Sequence, residues 1–374
     1  FVNLTRNATT TSGAGEGCPV SGASISGAIS TEGADAVENV EVNLSGNTDA
    51  TIVTSAAGQY SFVSLDAGYD YSVTPASDDQ PLNGVSTFDL VLISKHILGT
   101  ELLDSPYKLI AADVNNSGSI TTFDMVTLRK VILNIETNFP NNTSWRFVPA
   151  DYEFTNVANP FAENFPEVSN MNDIEESAYS VNFVAIKVGD VNASAVPNSD
   201  IAEGRSFAGT FALTANDARL TIGEEYTVSF TAEEVAGYQF TMNFDGVELV
   251  KVEEGLATAE NFGIFENELT ASWNGVASDE VAFSVVVKAT EDTRLSEAIA
   301  ITSSKTAAEA YDVNGTVKAV AVNFVDAGYE LAQNRPNPFS GETLIQITLP
   351  EAQRASLTVS DVTGKVLKVI TQNF

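Results

Sequence analysis

The stretch DVNNSGSITTFDMVTLRKVIL, residues 113–133, decides how the middle of this chain folds, because a polar loop with one glycine runs directly into a helical pattern. After Thr122, apolar residues recur every three or four positions, which is the spacing of one helix face. The segment TFDLVLISKHIL (87–98) repeats TFDMVTLRKVIL (122–133), and Gly99 after it is a typical helix-ending residue. The sequence therefore predicts two similar short helices, each preceded by a turn.

The loop before the second helix carries oxygen-bearing side chains at alternate positions, with Gly118 at the sixth. Calcium is a hard cation that takes about six to eight oxygen ligands, and a twelve-residue EF-hand loop supplies them from positions 1, 3, 5, 7 and 12. This pattern predicts a calcium site. The alternative is an Asx turn followed by a helix cap, because Asp, Asn and Ser favour both. The predicted calcium ligands are Asp113, Asn115, Ser117, Ser119 and Asp124.

The repeat resembles a type I dockerin over residues 77–138, with two calcium-loop–helix units and Asp at the last loop position. This resemblance implies calcium as the cofactor. The first repeat departs from the pattern, because Gly84 lies one residue closer to Asp89 than Gly118 lies to Asp124 in the second repeat. A weaker site at Asp79, Asn83 and Asp89 therefore needs ligands from another segment.

A candidate for that segment ends a predicted strand. The sequence VNFVAIKVGDVNAS (181–194) alternates in hydrophobicity and contains Asp-Val-Asn, the three residues that open the calcium loop. Asp190 and Asn192 are therefore candidate calcium ligands for the deficient site. A polar turn after a strand explains the same residues at least as well.

Two further regions have the two-residue period of strands. Residues 18–76, with VENVEVNLSG and TSAAGQYSFVSLDAGYDYSVTP, resemble the carboxypeptidase-regulatory-like and collagen-adhesin B-type immunoglobulin-like modules. Residues 201–325, with YTVSFTAEEVAGYQFTMNFDGVELVKVE and VAFSVVVKAT, resemble a cohesin-type module. The predicted fold class is mainly β and multi-domain, with immunoglobulin-like β-sandwiches and a small α-helical dockerin-like calcium module.

The C-terminal region YELAQNRPNPFSGETLIQITLPEAQRASLTVSDVTGKVL (329–367) resembles the C-terminal sorting domain of proteins exported by the type IX secretion system of Bacteroidota. The resemblance implies export to the cell surface. That family continues for further strands, so the module is expected to be incomplete and to leave a sheet edge open.

These features predict six segments. They are an N-terminal strand and linker (1–17), an immunoglobulin-like spacer domain (18–76), a dockerin-like calcium module (77–138), a connector ending in a GDVN turn (139–200), a cohesin-like β-sandwich (201–325) and the incomplete sorting domain (326–374).

The charge balance and the rare residues exclude several function classes. The 50 acidic and 18 basic residues give a net charge of −32, which repels nucleic-acid phosphates and anionic membrane surfaces. One Cys and one His are too few for a zinc site of Cys and His or for an internal disulfide, and they disfavour the usual catalytic triads. No apolar run approaches the roughly 18 residues that a membrane span needs. The sequence therefore favours a non-enzymatic protein with no nucleic-acid partner and no membrane span.

The predicted function is an extracellular cell-surface structural protein or adhesin that is secreted, stabilised by calcium and self-associating into a filament. A surface glycan is a further candidate partner. Residues 1–8 (FVNLTRNA) are typical of a short strand on a flexible linker, which head-to-tail strand addition requires, with the module at 326–374 as the expected acceptor. A disordered N-terminus is the simpler alternative. The alternative function is a set of accessory, non-catalytic modules of a secreted polysaccharide-degrading enzyme.

Overall fold

The computed structural model describes residues 22–198, 206–275, 280–326, 330–331, 334, 341–345, 347–348, 354–361 and 363–373. The predicted fold class is confirmed, because the chain is multi-domain and mainly β, with 43% strand and 12% helix. It divides into two compact units, Phe1–Ile132 with Glu136–Gly204 and Leu133–Ile135 with Arg205–Phe374. In the described part of the chain, no helix is both long and apolar enough to cross a membrane.

The first unit combines strands with three α-helices among its described residues. The strands are β1 Ala23–Thr31, β2 Glu41–Gly46, β3 Ala50–Val53, β4 Gln59–Leu65, β5 Tyr71–Ala76, β6 Trp145–Pro149, β7 Ser169–Met171, β8 Ala178–Ser180 and β9 Phe183–Lys187. The helices are α1 Thr87–Ile97, α2 Pro106–Ala112 and α3 Thr122–Ile132, with a 3-10 turn at Pro160–Ala162.

The strands of the first unit form two sheets around one apolar core. One sheet has the order β4-β1-β9-β6, with β8 beside β1, and the other has the order β3-β2-β5-β7. The alternation seen in the sequence produces this arrangement, because Val42 and Leu44 of β2 and Tyr71 and Val73 of β5 all point into the core. The antiparallel register places Leu44 opposite Val73.

Residues 139–200, which the sequence predicts as a connector, contribute strands to both of these sheets. Strand β9 lies between β1 and β6, and its Phe183 joins Phe147 of β6 in the sandwich core. The sequence pattern did not reveal β6, because all five of its residues are buried and no alternation is left. Strands β7 and β8 have three residues each, too few to establish a period.

The three helices pack on the other side of the β6–β9 pair. Their core joins Leu90 of α1 and Leu128 of α3 to Val148 of β6 and Ile186 of β9. Helix α1 begins with a capping box, in which the side chains of Ser86 and Asp89 exchange hydrogen bonds with each other's main-chain N–H groups. The helical module and the sandwich therefore share the strands that lead to residue 190.

The second unit is almost entirely β. Its described strands are β10 Thr210–Asp217, β11 Arg219–Leu220, β12 Glu225–Ala232, β13 Gly237–Phe244, β14 Val247–Glu254, β15 Phe262–Ile264, β16 Glu268–Asn274, β17 Val281–Ala289, β18 Thr293–Arg294, β19 Ile299–Thr302, β20 Glu309–Tyr311, β21 Val317–Asp326, β22 Glu330–Leu331, β23 Ile347–Thr348, β24 Arg354–Ser360 and β25 Val366–Asn373. The short helices are α4 Leu295–Ala298 and a 3-10 turn at Ala259–Asn261.

The main sheet of the second unit has the order β14-β17-β12-β10-β21-β20-β13-β16-β15, with β19 beside β13. Its core is aromatic, and the rings of Phe230 and Phe283 stack with their centroids 4.9 Å apart, while those of Tyr238 and Trp273 are 5.3 Å apart. Among the described residues, β24 and β25 pair only with each other.

Candidate metal centres

The loop before α3 folds around two buried carboxylates. Asp113 and Asp124 are both 0% exposed. Asp113 Oδ1 accepts a hydrogen bond from Ser117 N (2.8 Å), and its Oδ2 accepts one from Gly118 N (2.8 Å). Asp124 lies in the first turn of α3, and its Oδ1 accepts a hydrogen bond from Asn115 N (3.1 Å). The two carboxylates therefore hold the same short loop from its two ends.

The side chain of Asn115 tests whether a cation fits this loop. Its oxygen Oδ1 is buried and has no hydrogen-bond partner among the described residues. A buried acceptor without a partner costs about 1–3 kcal/mol, whereas calcium readily binds amide oxygens. Ser117 Oγ lies 3.2 Å from Ser119 Oγ and 3.1 Å from the Ser119 carbonyl oxygen, so further oxygens are close together in the same loop. The residues present fit an oxygen-liganded cation.

The electrostatics of the loop favour a positive ion. Burial raises the pKa of Asp124, main-chain N–H groups of Thr121 and Asn115 oppose that shift, and the charge of Asp113 raises the pKa further. Repulsion between the two carboxylates is therefore built into the folded loop. A cation liganded by both of them would offset it.

A second pair of buried carboxylates joins segments that are distant in sequence. Asp89, in the first turn of α1, is 0% exposed, and Asp190, after β9, is 6% exposed. Asp89 Oδ1 accepts a hydrogen bond from Val191 N (2.9 Å), while its Oδ2 accepts one from Ser86 N (2.9 Å). The start of α1 and the turn after β9 therefore form one polar cluster.

The turn after β9 repeats the geometry of the loop before α3. Asp190 Oδ1 accepts a hydrogen bond from Ser194 N (3.0 Å), and its Oδ2 accepts one from Ala195 N (2.8 Å). The donors are the fourth and fifth residues after the aspartate, as in the first loop. Ala193 has a φ of 58°, and the corresponding Asn116 of the first loop has a φ of 56°.

The two helix starts also correspond. Asp89 Oδ2 accepts hydrogen bonds from the N–H and hydroxyl groups of Ser86, at 2.9 and 3.1 Å. Asp124 Oδ2 accepts the same pair from Thr121, at 2.8 and 3.2 Å. The second centre thus contains both halves of the first loop, but they come from residues 86–89 and 190–195.

A buried lysine lies beside the second pair of carboxylates. Lys187 Nζ donates hydrogen bonds to the carbonyl oxygens of Pro81 (3.0 Å) and Ser144 (3.2 Å). Burial lowers the pKa of Lys187 to about 7, and nearby carboxylates, first that of Asp190, oppose the shift. Burial, followed by the charge of Asp190, holds the pKa of Asp89 well above its usual range.

The remaining residues predicted for the second site lie around this cluster. Asn83 Oδ1 accepts a hydrogen bond from Val196 N (3.1 Å), and its Nδ2 donates one to the Val196 carbonyl oxygen (2.9 Å). Asn192 is exposed, and its Oδ1 accepts a hydrogen bond from Ser194 N (3.0 Å). Asp79 is exposed at the surface. The structure therefore brings Asn83 to the turn after β9.

Sequence reasoning missed two serines that build the second centre. Ser86 stands in the same position before Asp89 as Thr121 does before Asp124, and Ser194 follows Asp190 as Ser117 follows the first aspartate of its loop. The repeated Asp-Val-Asn-x-Ser sequence was the available signal. Each centre combines two carboxylates with neutral oxygens. The described residues contain no group of three or more His, Cys, Asp or Glu that could hold a metal.

The helical region of the chain is similar to a known protein family. Residues 83–133 match the family model of the dockerin type I domain. The sequence matches no curated protein. The chain is thus multi-domain and mainly β, with a helical segment similar to a dockerin type I domain.

Several solved structures of cohesins show low similarity to the chain. A non-cellulosomal cohesin from the hyperthermophilic archaeon Archaeoglobus fulgidus is 18% identical with a TM-score of 0.22, covering 30% of this chain and 86% of that one. A type I cohesin–dockerin complex from Clostridium thermocellum is 13% identical with a TM-score of 0.26, covering 32% and 94%. A type II cohesin domain from the cellulosome of Acetivibrio cellulolyticus is 14% identical with a TM-score of 0.24, covering 30% and 92%.

Proposed function

We propose that residues 77–138, together with the turn after β9, form a calcium-dependent protein-interaction module of a secreted, non-enzymatic surface protein. The observation that carries the calcium part is the Oδ1 atom of Asn115, which is buried without a partner in the same loop as two buried carboxylates. The match of residues 83–133 to the dockerin type I domain supports the interaction part.

The first calcium site would use the loop before α3. Calcium supplies two positive charges there, which offset the repulsion between the carboxylates and draw the loop closed. The Asn115 oxygen gains the partner that the folded chain leaves it without. The ligands would be the side chains of Asp113, Asn115, Ser117 and Asp124 and the carbonyl oxygen of Ser119.

The second calcium site would be divided between two segments. Asp89 supplies the helix-start carboxylate, and Asp190 and Asn192 supply the loop residues. The hydrogen bonds that Asp89 accepts from Ser86, and those that Asp190 accepts from Ser194 and Ala195, match bonds in the first loop, which supports this assignment. Asp79 is left out of the proposed site, because it is exposed whereas Asp89 and Asp190 are buried.

A non-catalytic role agrees with the setting of the one histidine. His96 lies in the last turn of α1, and its Nδ1 accepts a hydrogen bond from Leu103 N (3.2 Å). This hydrogen bond fixes the main chain that follows α1, which is a structural role for the histidine. Cys18, the one cysteine, lies outside the described residues.

Exposed apolar side chains on the helical module support a protein partner. Phe123 is 72% exposed and Val126 is 38% exposed, both on α3, while Leu98 and Leu102 after α1 are 73% and 67% exposed. Exposed apolar patches mark interaction sites in soluble domains, so these four side chains are the proposed contacts with that partner.

We extend this proposal to self-association of the chain into an extracellular filament with a structural or adhesive role. In this assembly, residues 1–8 of one copy add head to tail to the next copy as a strand. Those residues lie outside the described part of the chain, as does most of the Asn-Arg-Pro-Asn-Pro-Phe motif on which export by the type IX system rests.

Isothermal calorimetry of calcium with the full chain tests the metal proposal. We expect two calcium ions per chain, with Asp113→Ala and Asp190→Ala each removing one and Asp79→Ala, the matched control, removing none. Light scattering in calcium and in chelator then measures whether the assembly depends on the metal. Absence of saturable calcium binding into the millimolar range would refute the proposal.

A further inference from the structure

The two candidate metal centres differ in one buried charge. The loop before α3 presents the buried carboxylates of Asp113 and Asp124, which carry two negative charges when ionised. The second centre presents Asp89 and Asp190 in the same way, but Lys187, which is only 5% exposed, lies beside them. Two carboxylates and one ammonium group leave the second centre with one net negative charge instead of two.

The ammonium group of Lys187 is held in place by groups that favour a positive charge. Its side chain leaves the end of β9, and Nζ donates hydrogen bonds to the main-chain carbonyl oxygens of Pro81 and Ser144. The rings of Phe139 and Trp145 lie close by, with their centroids 5.6 and 5.7 Å from Nζ. Carbonyl oxygens and aromatic faces both attract a cation, so the ammonium group is fixed inside the first unit.

Lys187 and Asp190 lie on the same small cavity, which has a volume of about 100 Å³. Burial raises the pKa of Asp190, while main-chain N–H groups and then the charge of Lys187 oppose the shift. In the first loop, burial raises the pKa of Asp124 and the charge of Asp113 raises it further. The second centre therefore contains a positive charge of its own, which would repel a calcium ion bound there.

We propose that Lys187 sets the calcium affinity of the second centre below that of the first, so that the two centres fill at different calcium concentrations. This inference rests on the two calcium sites of the proposed function and assigns the order in which they fill. The affinity of calcium loops depends on the number of charges that the site presents. Lys187 cancels one of the two charges that Asp89 and Asp190 supply.

This order of filling gives the two centres different roles. The first loop is one continuous segment and binds at the lower calcium concentration, where the ion closes the loop before α3. The second centre binds at the higher concentration, where the ion joins the start of α1 to the turn after β9, the two segments that Asp89 and Val191 already link. Rising calcium would therefore tighten the helical module first and then its contact with the sandwich.

The test measures calcium affinities of the full chain by isothermal calorimetry at about pH 6, where an amine with a pKa of about 7 is charged. Lys187→Met removes the charge and keeps a side chain of similar length, whereas Lys187→Arg keeps the charge. Lys95→Met is the matched control, because it removes one positive charge from α1, where Lys95 pairs with Glu101. Each variant is also combined with Asp113→Ala, so that the second centre is measured alone, and circular dichroism checks that each chain is folded.

Lys187→Met should raise the affinity of the second centre at least about tenfold and leave that of the first unchanged. Lys187→Arg and Lys95→Met should keep both affinities within about threefold of wild type. A purely structural role predicts the opposite, because losing the two hydrogen bonds of Lys187 would loosen the centre. Weaker or unchanged binding in Lys187→Met would therefore overturn the inference. If that variant did not fold, two equal affinities in wild type would overturn it as well.

The number of bound ions separates this inference from the proposed calcium sites. Two ions in wild type with no gain of affinity in Lys187→Met would leave both sites standing and remove the role of Lys187. One ion in wild type and two in Lys187→Met would support that role and overturn the stoichiometry expected of wild type. If neither chain bound a second ion, the second calcium site and this inference would both fail.

Discussion

Asp89 Oδ1 accepts a 2.9 Å hydrogen bond from the main-chain N–H of Val191, which is 102 positions away in sequence. Both residues are buried. A calcium loop of the EF-hand type normally comes from one continuous segment. Here this contact links the start of α1 to the turn after β9, so a cation in the second centre would depend on the sandwich as well as on the helices. Calcium binding there would be coupled to folding of the whole first unit.

This coupling predicts that substitutions at the two carboxylates are not additive. In saturating calcium, Asp89→Asn and Asp190→Asn should each destabilise the first unit, and the double variant should cost less than the sum by about 0.5–3 kcal/mol. Urea denaturation of the four chains measures the difference. Asp104→Asn is the control, because Asp104 is exposed and paired with Lys108. The loss of stability in Asp104→Asn combined with Asp190→Asn should equal the sum of the two single losses within about 0.5 kcal/mol. Full additivity of the first pair would contradict a shared site.

Gly84 determines how closely the turn after β9 approaches the start of α1. It has a φ of +77°, and a Cβ added there would lie 2.5 Å from Ala195 N. Gly99 has a similar φ of +69° but open space around it. Both alanine variants should therefore bear a left-handed backbone penalty of about 1–2 kcal/mol. Gly84→Ala should cost about 1–3 kcal/mol more, because the turn must move away.

Calcium calorimetry measures whether each glycine variant affects the second calcium site alone or both sites. Gly84→Ala should lose the second calcium ion and keep the first, whereas Gly99→Ala should keep both. Equal losses of stability in the two variants, with both ions retained, would show that the close approach at Gly84 has no role.

The sequence predicted the parts of this molecule whose signals are local. The repeat located α1 and α3, and the loop spacing selected Asp113 and Asp124, which the structure brings to one short loop. Helix α2 was not predicted, although Ser105 and Pro106 form a typical helix start, because its seven residues are too few to show a helical period.

Features that depend on long-range contacts were not predictable in the same way. The shared Asp-Val-Asn suggested that Asp190 could serve the first repeat, but which residues would meet it depended on how β9 enters the sheet. Its place between β1 and β6 carries the turn to the start of α1. Asp79, the other aspartate predicted for this site, is exposed in the segment that follows β5.

Two tyrosines in the second unit predict opposite effects of the same substitution. The hydroxyl of Tyr238 is buried and has no hydrogen-bond partner among the described residues, whereas that of Tyr311 donates to Glu309 Oε2. Tyr238→Phe should raise the free energy of unfolding by about 1 kcal/mol, since it removes an unsatisfied polar group and keeps the ring. Tyr311→Phe should lower it by about 1–3 kcal/mol. Thermal and urea denaturation measure both, and destabilisation by Tyr238→Phe would reveal a partner such as a buried water.

The buried carboxylates of the second centre predict how the calcium-free chain responds to pH. Burial raises the pKa of both Asp89 and Asp190 above the ordinary value of about 4. A carboxyl group with a higher pKa in the folded state binds its proton more tightly there. Its stabilising contribution is therefore fully present below the unfolded pKa and is lost as the pH rises through the folded pKa. In chelator, these two groups should make the first unit more stable as the pH falls from neutral towards the ordinary carboxyl pKa of about 4.

Asp89→Asn isolates the contribution of Asp89 from those of the other acidic residues. In chelator, the stability of this variant should depend less steeply on pH than that of wild type. Lys187, with its pKa of about 7, gives the opposite slope near pH 7 and little slope well below it, so the comparison is read at the acidic end of the range. In saturating calcium, the carboxylates must be deprotonated to bind, so the slope should reverse and stability should fall on acidification. Urea denaturation at several pH values, with and without calcium, measures all three slopes. If wild type and Asp89→Asn gave the same slope in chelator, the buried carboxylate would not be the group that titrates.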